Sequence, residues 1–141
     1  MTQVTSIEDL KKDSAIIGTI VERHIIAEFE LQRGHTMDCS IADVEVDIKF
    51  SIKEFGSDKT KQNPWMIPKE AVGHLCLLTR SDGRRFQVGL VAITEEILTA
   101  KGNQDGKRTI KAACTDDHIR WLTPRAPLPQ VDMTCCLFCG K

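Results

Sequence analysis

No run of apolar residues in this 141-residue chain approaches the ~20 needed to cross a bilayer as a helix. The N-terminus also lacks the basic-then-apolar order of a signal peptide, so a cytoplasmic location is the expectation. There is no internal repeat and almost no net charge. With 19 basic and 20 acidic residues the formal charge is −1, which gives no global sign of a polyanionic partner. What is present, 41% hydrophobic and 28% charged residues, is the composition of one soluble globular domain with a single core. The six cysteines (Cys39, Cys76, Cys114, Cys135, Cys136 and Cys139) then read as reduced thiols rather than a disulfide framework.

The near-zero net charge hides an asymmetry. Residues 1–48 hold 4 basic against 10 acidic residues, and residues 49–141 hold 15 against 10, so the two parts carry −6 and +5. The basic residues gather in two loop-like stretches, Lys49 to Lys69 and Lys101 to Lys111. Basic loops beside an acidic region suit a phosphodiester substrate, although most such runs are only solvated surface.

The acidic region centres on Asp38 to Ser51. From Asp43 onward it alternates strictly, with Val44, Val46, Ile48 and Phe50 on one side and Glu45, Asp47, Lys49 and Ser51 on the other. That is the period of a half-buried strand. The short run Met37 to Ile41 reads as its partner, with Ala42-Asp43 as a two-residue turn. Pairing residues then sum to 85, and Asp38 falls opposite Asp47. Ala-Asp is not the favoured Asn-Gly turn, so the register rests on the hydrophobic pattern. In that register Asp38, Glu45, Asp47 and Lys49 share a face. Like charges directly opposite destabilise a sheet, and a divalent cation is the natural compensation. An ordinary polar hairpin face is the plainer alternative.

Along the rest of the chain, Ser6 to Asp9 has the look of a helix start. Ser14 to Leu31 is helical in period and apolar nearly all round, which predicts burial. Glu22 lies in the middle of that helix, in a small or apolar setting where an unpaired carboxylate is costly, which points to a partner or a metal; a salt bridge or a position nearer the surface is the plainer alternative. A polar loop over Gly56 to Asn63 leads into the proline-bracketed segment Asn63 to Pro68. A single turn follows at Glu70 to Val72. Strands are expected at His74 to Arg80 and Phe86 to Ile93, joined by a turn at Ser81 to Arg84. A short helix from Glu95, a loop at Gly102 to Gly106 and a strand at Ile119 to Leu122 complete the core. Prolines 124, 127 and 129 are expected to end regular structure. The fold class is mixed α/β, with a central mixed sheet flanked by helices. Residues 1–123 form the expected domain, and 124–141 a Pro-rich then Cys-rich tail.

Several blocks in order resemble a known family: Ile41 to Ser51, Pro64 to Leu78, Val88 to Val91, Asn103 to Arg108 and Ile119 to Leu122. They are similar to the catalytic domain of NaeI-type restriction endonucleases, PD-(D/E)xK nucleases related to the nicking enzyme MutH. The resemblance covers residues 15–123 and implies a restriction-endonuclease-like core in a bacterial or archaeal cytoplasm. The family's helix Glu, Asp and Asp-x-Lys fall on Glu22, Asp38, Asp47 and Lys49. It implies Mg²⁺-dependent hydrolysis of double-stranded DNA. Asp38, Asp47 and the Ile48 carbonyl would hold the ion, Glu22 would bind through water or a second ion, and Lys49 would orient or deprotonate the attacking water. Lys59, Lys61, Lys107 and Arg108 are the expected phosphate contacts. The NaeI type carries a second DNA-binding domain with no counterpart in these 141 residues. A lone nuclease domain is expected to pair with a second copy to cut both strands, or to nick as MutH does. A non-catalytic DNA-binding or interaction module on the same fold is the alternative. Finally, Cys114-x-x-x-His118 and Cys136-x-x-Cys139 form a candidate structural-zinc set, against chance spacing.

Overall fold

The computed structural model describes residues 12, 14–52, 63–123 and 126–128. The first helix, α1, spans Ser14–Glu28, three residues shorter than its apolar period suggested. Backbone geometry ends it. Glu30 takes the left-handed conformation (φ 51°), so the Leu31 N–H reaches back to the Ile26 carbonyl at 2.9 Å and the Glu30 N–H to the Ala27 carbonyl at 3.2 Å. This is a Schellman stop with glutamate where glycine is usual.

Strands β1 (Gln32–Arg33), β2 (Cys39–Ile41), β3 (Val44–Ile52), β4 (Leu75–Ser81), β5 (Arg85–Ala92) and β6 (Arg120–Trp121) lie in that order across one sheet. A seventh strand, β7 (Ala126–Pro127), pairs with β5 inside the stretch where prolines were expected to end regular structure. Only β3 and β4 are parallel; the other pairings are antiparallel. Parallel neighbours need a long crossover, and residues 53–74 supply it. Its described part carries Trp65, Ile67 and the 3₁₀ turn Lys69–Ala71 onto the sheet, with Trp65, Ile67 and Ala71 buried. The mixed, restriction-endonuclease-like architecture expected from the sequence is the one observed.

The two sheet faces are covered unequally. On one, α1 lays Ile25 and Ile26 over Cys39, Val46 and Ile48, with Leu31, Leu75 and Leu77 alongside. On the other, Cys76, Leu78 and Val91 pack with Trp65, Ile67, Ile93, Ile97, Leu98, Ile110 and Ile119 in the main core. The expectation that α1 is buried is corrected. Ile16 is 63% exposed and Phe29 71%, because α1 packs by one face against a single sheet and no described element covers its outer side. The half-buried reading of β3 changes too: Val46, Asp47 and Ile48 are buried in succession. The side that alternation had assigned to solvent is shared with Cys76 and Leu78, the sheet neighbours of Asp47 and Lys49, which pack into the main core with Trp65, Ile67 and Ala71. Among the described residues no helix is long and apolar enough to cross a membrane. The helix start expected at Ser6 lies outside the described residues.

Candidate functional site

The site begins with a turn. Ala42 and Asp43 both take positive φ (50° and 64°), the pair of left-handed residues that a two-residue hairpin turn requires. The register follows, with Cys39 opposite Val46 and Ile41 opposite Val44, so pairing residues sum to 85 as the alternation indicated. One step beyond the last ladder pair, Asp38 leaves the strand. Its Oδ2 accepts the Ile48 N–H at 2.7 Å. A side-chain carboxylate thus caps the free edge of β3 where β2 has ended, and this fixes Asp38 beside Asp47.

Asp47 is only 5% exposed. Its Oδ2 lies 3.1 Å from the Lys49 ammonium and receives a long contact from the Cys76 thiol at 3.9 Å. Burial, with a hydrogen bond to Asp38 second, pushes Asp47 up to about 6, and Lys49 partly offsets the shift. A charge on Asp47 beside a second carboxyl group is a repulsion that a cation would relieve. Burial also pushes the Cys76 thiol up, next to the Asp47 charge, so it is not a thiolate. Lys49 is held from behind: its backbone carbonyl accepts the Thr79 hydroxyl at 2.8 Å, and the Thr79 carbonyl accepts the Trp65 indole N–H at 2.9 Å.

Glu22 meets this group from the helix. Burial, then the Asp38 charge, raises its carboxyl above the ordinary value, while Lys49, Arg23 and Arg33 pull the other way. A cleft of about 520 Å³ separates α1 from the segment entering β2. Glu22 and Arg23 line its helix wall, and Arg33, Gly34 and Asp38 line the opposite one. The fold therefore gathers Glu22, Asp38, Asp47 and Lys49 from positions up to 27 residues apart in the chain. Among the described residues no three His, Cys, Asp or Glu side chains stand ready-made as a metal cage. Two adjacent carboxylates nevertheless suit Mg²⁺, which keeps several waters and needs only one or two protein carboxylates.

Sequence reasoning missed the role of Glu45. Its carboxylate accepts three backbone N–H groups, from His35 at 2.7 Å, Thr36 at 3.2 Å and Met37 at 2.9 Å. These bonds hold Glu45 down at about 2. They also pin the loop that delivers Asp38. A Cβ on Gly34 would collide with the Met37 carbonyl and the Glu45 carboxylate, so the loop closes only around glycine. The register had placed Glu45 on the correct face; that loop 34–37 would curl onto it had no local signal except Gly34.

Of the remaining candidates, none that is described lines this cleft. Arg108 forms a two-pronged ion pair with Glu95, at 2.8 and 2.9 Å, and is not a free cation. Lys107 is exposed in a loop tied by the Asn103 side chain, whose Oδ1 accepts the N–H groups of Asp105 and Lys107. Lys59 and Lys61 lie outside the described residues. So do Cys136 and Cys139, while Cys114 packs against the main core and His118 is exposed.

A mixed sheet that sets a carboxylate pair and a lysine beside a helix glutamate has the form of a restriction-endonuclease-like core. The chain belongs to the NaeI restriction endonuclease family, whose model, described as "Restriction endonuclease NaeI", matches residues 4–136. It is 33% identical over 102 residues to the type II restriction enzyme NaeI of Lentzea aerocolonigenes. That match covers 71% of this chain and 29% of the relative, so the chain spans under a third of that enzyme's length.

Proposed function

We propose that this protein is a Mg²⁺-dependent endonuclease that hydrolyses phosphodiester bonds of double-stranded DNA, acting in the cytoplasm. The observation that carries the reading is the Asp38–Asp47 carboxyl pair, with Asp47 buried and Lys49 3.1 Å from it. Placing like charges together in a buried strand costs stability, and a site that binds a cation and a phosphate gives that cost a purpose. Membership of the NaeI family supports the same chemistry.

In this reading Asp38 and Asp47, with the Ile48 carbonyl, would hold the ion, and Glu22 would contribute through water or a second ion. Once bound, the ion polarises the phosphate and makes its water more acidic. The chain's own residues do the rest. The Ile48 N–H fixes the Asp38 carboxylate through its bond to Oδ2, which leaves the other oxygen for the ligand. Lys49, anchored at its carbonyl by Thr79, presents an ammonium that orients the attacking water and neutralises charge developing on the phosphate. Two such centres would cut both strands of a duplex together if two copies pair. One copy alone would nick.

The test is cleavage of supercoiled and linear plasmid with Mg²⁺ and with EDTA, beside Asp47→Ala and Lys49→Ala. Metal-dependent cutting lost in both variants is the expected result. Well-folded protein that cuts in neither Mg²⁺ nor Mn²⁺ would refute the enzyme reading and favour a binding module on the same fold.

A further inference from the structure

We propose that Arg23 and Arg33 form a phosphate clamp at the mouth of the catalytic cleft, gripping the DNA backbone beside the scissile bond. This rests on the nuclease reading above. It adds two residues to the loop residues that the sequence suggested for phosphate contact. Each wall of the cleft contributes one carboxylate and one guanidinium: Glu22 with Arg23 from α1, and Asp38 with Arg33 from the loop side. Both arginines are exposed, and both act electrostatically on Glu22. Among the described residues neither forms an ion pair within 4.0 Å. Arg108, by contrast, is paired with Glu95 through both of its terminal nitrogens.

Arginines left unpaired beside two acids are poised for a different anion. A guanidinium offers two parallel N–H donors to a phosphate, a geometry an ammonium cannot match. Charge balance points the same way. The two carboxylates that line the cleft, Glu22 and Asp38, would alone repel a phosphodiester. Arg23 and Arg33 bring the formal sum of the four charged lining side chains to zero, and any bound cation then makes the cleft positive. The two guanidiniums stand on opposite walls, so a strand entering the cleft would be held from both sides.

The full-length chain can be titrated with a short labelled DNA duplex in Ca²⁺, without turnover, from about 50 to 200 mM salt. Arg23→Ala and Arg33→Ala should each weaken binding about tenfold. Each should also make the log–log salt slope shallower by about 1, and the double variant by about 2. Arg33→Lys, which keeps the charge, should retain the slope. Circular dichroism melts confirm folding, which the exposure of both side chains makes safe. Wild-type protein that binds and cuts DNA, with both alanine variants unchanged in affinity and slope, would overturn the clamp and leave the nuclease reading standing. Wild-type protein that neither binds nor cuts duplex DNA would overturn both.

Discussion

Glu45 and Asp47 stand two residues apart on β3, yet their surroundings push them in opposite directions, Glu45 down to about 2 and Asp47 up to about 6. The hairpin end of the strand meets a loop that aims three N–H groups at one carboxylate. The middle of the strand is sealed on both faces and offers its carboxylate another carboxyl group, a thiol and one lysine. The first carboxylate is satisfied by the backbone, and the second is left with a like-charged neighbour. The two regions belong together, because the loop held by Glu45 is the loop that delivers Asp38 to Asp47.

The sharpest way to break this comparison is to neutralise each carboxylate in turn. Asp47→Asn should lower Mg²⁺-dependent cleavage by at least about 100-fold, the upper cost of disturbing even the surroundings of a metal ligand. In metal-free buffer it should nevertheless melt above the wild type, since a buried like-charge pair has been relieved. Glu45→Gln should melt below it. A lower melting temperature for Asp47→Asn would mean that the carboxylate is structural.

Gly34→Ala comes next. The added methyl collides with the Met37 carbonyl and the Glu45 carboxylate, and overpacking of this kind costs about 1–3 kcal/mol. Denaturant unfolding would measure that loss. An unchanged midpoint would show the loop to be slack and remove the link between Glu45 and Asp38.

A smaller effect should appear with pH. The native Glu45 value lies below its ordinary 4.5, so its stabilisation is complete above that pH. It fades as pH falls through 4.5 and is lost as the native value near 2 is crossed. The difference in melting temperature between wild type and Glu45→Gln should follow that profile; a difference constant with pH would contradict it. The smallest effect belongs to Arg108→Ala. Its partner Glu95 is exposed, and exposed pairs contribute little. Melting temperature and salt dependence of DNA binding should both barely move, and a shallower salt slope would restore Arg108 as a phosphate contact.

The sequence by itself determined the local framework. Period-2 alternation and a two-residue turn set the hairpin register, because a slip of one residue would move every apolar side chain of β3 to the wrong face. That register placed Asp38 beside Asp47 and Lys49, and the helical period put Glu22 in a setting that needed a partner. The outward half of α1 was not legible, since an apolar helix surface does not say whether anything covers it. Tertiary structure decided the rest. The parallel pairing with β4 set Cys76 beside Asp47. The curl of residues 34–37 turned Glu45 from a surface charge into a clamp. Arg108 was committed to Glu95, while Arg23 and Arg33 were left open on either wall of the cleft. Register follows from chain geometry within one hairpin, whereas burial and charge partners come from elements up to dozens of residues away, whose approach no local pattern encodes.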